Sequence, residues 1–174
     1  MRPLAHLAAA AVVGLATTLG IGDGLSAAPP APQPITLPCA TNASAQVLGT
    51  ASPSTAAGET LVLARVILGP SGGIGPHRHP GTLVVSVESG TPGLTLLEDA
   101  EMAVMRASLA GTPAAAETVS VGQEVELPAG DWWIEGGMVH QARSVGDEPT
   151  VVLLSGLIEA GQPLTARVEE TAGT

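Results

Sequence analysis

The stretch "GPHRHPGTLVVSVESG", residues 75–90, joins two histidines to an apolar, alternating run that ends on a glycine. Alternation with a period of two is the mark of a strand with one buried face. Successive strand side chains point to opposite faces, so His77 and His79 share a face while Arg78 points away. The pair is expected at the mouth of the strand spanning 82–89. Two imidazoles on one face can hold one metal ion, and a third from a distant strand completes a facial set. Of the four histidines, His6 lies in the N-terminal apolar segment, which leaves His140 as the third.

Outward from this stretch, short apolar runs separated by Gly, Pro and Asp predict further strands at 46–50, 59–68, 93–99, 101–109, 118–121, 124–128, 131–135, 138–144 and 150–159. No segment sustains a capped helical period over the ten or so residues that a helix needs. The fold class that follows is all-β, a single antiparallel sandwich or barrel of the jelly-roll kind. The chain shows no internal repeat. It has no Lys, Phe or Tyr and only two Trp, so the core is built from Val, Leu, Ile, Ala and Met.

With 174 residues and a net charge of −10, one acidic domain is expected. It has no basic patch for phosphates, so nucleic acid is excluded as a partner, as is an anionic membrane surface. Residues 1–28 carry one Arg, an apolar run and then small residues, the layout of a signal peptide, so the protein is expected to be exported, secreted or periplasmic, with no membrane contact after removal. A Pro-rich tether at 29–44, a barrel at 45–162 and a tail at 163–174 complete the expected organisation. Cys39 is the only cysteine, so no internal disulfide forms.

The histidine stretch resembles the first motif of the cupin superfamily, Gly-x5-His-x-His-x3-4-Glu-x6-Gly. His77, His79 and Gly90 match; Gly72 stands one residue too close; Leu83 stands where the family has its glutamate. The second motif, Gly-x5-Pro-x-Gly-x2-His-x3-Asn, has two registers. Gly122 with Pro128 and Gly130 places Trp133 at the histidine. Gly137 with His140 is preferred, and puts Glu135 at the proline and Ser144 at the asparagine.

The resemblance implies a double-stranded β-helix barrel enclosing a divalent metal (Fe, Mn, Ni, Cu or Zn) on His77, His79 and His140. It also implies a small-molecule ligand or substrate, and a homodimer formed through edge strands. Leu83 and Met138 share the parity of the histidines on their strands. With whichever of Trp132 and Trp133 faces inward, taken here as Trp133, they are the expected pocket residues. Three neutral ligands leave the ion its full charge and open positions, which suits a dioxygenase or isomerase. The reading of a different class is a non-catalytic small-ligand barrel. No catalytic acid or base is assigned: Glu88, Glu98 and Glu101 read as solvated, and Arg143 as an outward ion-pair partner.

Overall fold

The computed structural model describes residues 32–98, 100–108 and 115–168. Among them are twelve strands and no helix. In chain order these are β1 (Gln33–Ile35), β2 (Ala40–Ala51), β3 (Glu59–Arg78), β4 (Gly81–Ser89), β5 (Pro92–Leu96), β6 (Met102–Met105), β7 (Ala116–Val119), β8 (Glu124–Glu126), β9 (Trp132–Gly136), β10 (His140–Ser144), β11 (Thr150–Glu159) and β12 (Ala166–Arg167).

The long strand β3 organises the barrel. Residues 59–68 pair with β11, and residues 73–77 with β10, so one strand passes from one wall to the other. Around it the strands run in the order β7-β6-β9-β4-β11-β3-β10-β5-β8, with every pairing antiparallel. The passage lies at residues 69–73, where Ser71 takes a φ of 57°. A Cβ on Gly73 would lie 2.8 Å from the carbonyl oxygen of Ala142, so glycine there lets β10 close against β3.

Alternating residues of these strands turn inward onto an aliphatic core that includes Val66, Leu68, Leu83, Val85, Leu94 and Leu154, with Trp133 as its aromatic member. Each such side chain contributes about 1.5–3 kcal/mol by leaving water. That interior is dry and apolar, so the polar groups placed within it need specific partners.

Three expectations are corrected. The strand read at 59–68 continues to Arg78, so His77 is the penultimate residue of β3 and His79 lies just beyond its end, and neither opens β4. The Gly-rich residues 69–76 carry no strand signal of their own because propensity is local, whereas β2 and β10 pair with this segment from far away in the sequence. The sheet also begins before residue 45, since β1 pairs with β2 and the Gly75 N–H donates to the Cys39 carbonyl at 3.0 Å. Pro34 is tolerated in β1 because that strand lies off the main sheet path and pairs only with β2. Lastly, residues expected in the tail belong to the barrel: β12 pairs with Arg78 and His77, and Leu164 and Thr165 are buried. Burial of those two side chains, not composition, draws the segment in.

The expected signal peptide lies outside the described residues. No helix among those described is long and apolar enough to cross a membrane.

Candidate metal centre

Three strand ends bring the histidines together. His77 and His140 are register partners across the β3–β10 ladder, and His79 follows one residue beyond β3. The chain reaches His140 through the turn after β9, where Gly137 has a φ of 79°, a conformation open to glycine. All three side chains are buried, and a ring nitrogen from each lies within 4.8 Å of the others.

Every ring is held from behind by a backbone carbonyl. His77 Nδ1 lies 2.8 Å from the Gly75 oxygen, His79 Nδ1 2.6 Å from that of Leu164, and His140 Nδ1 3.2 Å from that of Met138. A carbonyl oxygen can only accept, so each Nδ1 carries the proton, and in the neutral ring the Nε2 lone pair is free. Metal-binding histidines are oriented in this way.

Glu135, to which the sequence reading gave no role, stands among them. Its Oε2 lies 3.1 Å from His79 Nε2 and its Oε1 3.3 Å from His140 Nε2. Trp133 Nε1 donates to Oε1 at 2.7 Å. Oε2 is not aligned for a hydrogen bond with His79 and has no other partner, the one buried side-chain polar atom among the described residues so placed. The signal for it was in "DWWIE": strand parity puts Glu135 on the face of Trp133, which is the inward tryptophan, while Trp132 is half-buried.

The electrostatics reflect this crowding. Burial, followed by the neighbouring His140 and His79, pushes His77 down to about 3, so its ring is neutral over the physiological range. Burial also acts to lower His79, but the Glu135 carboxylate 3.1 Å away, with the Leu164 carbonyl, outweighs it and raises the ring's pKa. For Glu135 burial acts upward, yet His140, His79 and the Trp133 N–H hold the carboxyl well below the usual carboxylate range. A buried carboxylate of this kind requires a positive partner.

The donor set fits a divalent cation. With metal–ligand bonds of about 2.1 Å, adjacent donors on one ion stand about 3.0–3.4 Å apart. The separation between Glu135 Oε2 and His79 Nε2, 3.1 Å, falls in that interval. The donors border a cavity of about 40 Å³, which Trp133 also lines; Leu83, fully buried in the core, and Met138, partly buried against it, do not. Of the other residues, Arg143 pairs with Glu124, Glu88 with Arg65 and Glu98 with Arg78, all at the surface, and Glu101 is exposed.

No protein-family model matches the chain, and no curated protein matches its sequence. Among solved structures it is similar to a polyketide cyclase from Streptomyces resistomycificus, at 18% identity and a TM-score of 0.44 over 81% of each chain. It is similar to oxalate decarboxylase from Bacillus subtilis, a protein with Mn(II) centres, at 18% identity and a TM-score of 0.47, covering 78% of this chain and 30% of that one. A cupin 2 conserved barrel domain protein from Rhodopseudomonas palustris aligns at 17% identity and a TM-score of 0.41, over 79% and 76% of the two chains. By its own strand order the chain is a single antiparallel β-barrel, with three histidines positioned to bind a metal.

Proposed function

We propose that this is an exported metalloprotein that binds one divalent ion through His77, His79 and His140 and acts on a small oxygenated substrate as a dioxygenase or isomerase. The observation that carries the reading is the shared orientation of the rings: each gives its Nδ1 proton to a carbonyl and so keeps Nε2 for a ligand. A divalent ion there supplies Lewis-acid polarisation or, if redox-active, dioxygen activation. The chain's part is to fix three neutral donors, exclude bulk water with an aliphatic wall, and limit what enters. Export is supported by the N-terminal segment "MRPLAHLAAAAVVGLATTLG" and its small-residue end.

The rival reading is a non-catalytic barrel for an apolar ligand. A cavity of about 40 Å³ favours the first reading, because at about 10–15 Å³ per water it holds only a few atoms beside the histidines. The test is elemental analysis of the purified protein together with an oxygen-uptake screen over small carboxylates, diols and enols. One equivalent of metal, lost in each of His77→Ala, His79→Ala and His140→Ala, is expected. Metal content untouched by His140→Ala removes that residue from the centre, and metal-free protein carrying an apolar ligand overturns the reading.

A further inference from the structure

We propose that Glu135 is a fourth metal ligand, supplied by β9 in place of the acid that the first histidine motif lacks at Leu83. The inference deepens the proposed function and rests on its metal site.

Leu83 and Glu135 are direct partners across the antiparallel β4–β9 ladder, and both side chains are buried. Opposed residues on one face have Cβ atoms about 4.5–5.5 Å apart, so a carboxylate borne by either strand reaches the same part of the barrel. Losing the acid on β4 therefore does not empty the site of negative charge; the neighbouring strand provides it.

The carboxylate is also poised to act through one oxygen. Trp133 Nε1 occupies Oε1 at 2.7 Å, and Oε2 is left with no hydrogen-bond partner, 3.1 Å from His79 Nε2. A buried carboxylate oxygen left unpaired is destabilising unless something else satisfies it. A counter-ion role toward a protonated His79 would engage Oε2 with that ring alone and leave the Nε2 lone pairs of His77 and His140 unused. A cation held jointly by Oε2 and the three Nε2 lone pairs satisfies all of them. The net charge of the centre would fall from +2 to +1, with the ion itself unchanged, and Trp133 becomes a positioning residue that selects the coordinating oxygen.

The test compares Mn(II) and Zn(II) binding by calorimetry, and the Mn(II) electron paramagnetic resonance spectrum, in the wild-type protein, Glu135→Gln and Trp133→Phe. Glutamine keeps the volume and the acceptor for Trp133 but loses the charge. The expected result is one site in the wild type, affinity lowered at least about 10-fold in Glu135→Gln, and an altered Mn(II) spectrum in Trp133→Phe with metal still bound. Wild-type affinity and an unchanged spectrum in Glu135→Gln overturn Glu135 as a ligand and leave the three-histidine site standing. A wild-type protein that takes up neither ion overturns the metal site itself and this inference with it.

Discussion

The carbonyl of Leu164 accepts the Nδ1 proton of His79 at 2.6 Å, a contact spanning 85 positions that ties residues 164–167 to the three-histidine site. Ending the chain after residue 162 removes that acceptor. Metal affinity is expected to fall about 10–100-fold, the usual effect of losing the group that orients a ligand histidine. Leu164→Ala keeps the carbonyl and loses only packing, so it should lower thermal stability while holding most of the affinity. Metal titration of the two variants side by side checks the distinction.

The opposition of Leu83 and Glu135 predicts that the acid can be moved. In Glu135→Leu the centre loses its carboxylate, and adding Leu83→Glu to that variant returns one from β4. The double variant is expected to bind Mn(II) more tightly than Glu135→Leu by about 10-fold or more, measured by equilibrium dialysis on protein whose folding is confirmed by circular dichroism.

Gly73 links the fold to the site, because a Cβ there would press on the Ala142 carbonyl at 2.8 Å and on the Arg143 Cα at 3.3 Å. Gly73→Ala should push β10, and His140 with it, away from β3. The expected outcome is a loss of about 1–3 kcal/mol in urea unfolding, together with weaker metal binding. Undiminished affinity would show that His140 is positioned independently of this contact.

Away from the centre, Asp131 is buried and accepts from Arg106 Nη1 and from the Ala107 N–H, both at 2.7 Å. Asp131→Ala leaves both donors without that acceptor and should cost about 1–3 kcal/mol. Glu88→Gln breaks the exposed pair with Arg65 at 2.6 Å and should leave stability nearly unchanged. Thermal melts at matched salt test the contrast, and metal content should be unchanged in both.

Much of the site was legible because it depends on local parity. The shared face of His77 and His79, the inward turn of one of the two adjacent tryptophans and the outward Arg143 all follow from the two-residue period of a strand. Gly90, the closing glycine of the first motif, stands just after β4 with a φ of 73°, a conformation that glycine adopts at no steric cost. The part played by Glu135 was only half legible. Its parity marked it as inward, but nothing local said which strand would lie opposite or how close His79 would come.

The sequence by itself therefore determined the strand periods, the aliphatic character of the core and which side chains turn inward, because each of these is set within a few residues. Tertiary structure decided where β3 ends, that residues 33–44 and 163–168 join the barrel, and that the carboxylate among the histidines is Glu135. These depend on pairing partners far apart along the chain, and the register between such strands is fixed only when the whole barrel closes around its core.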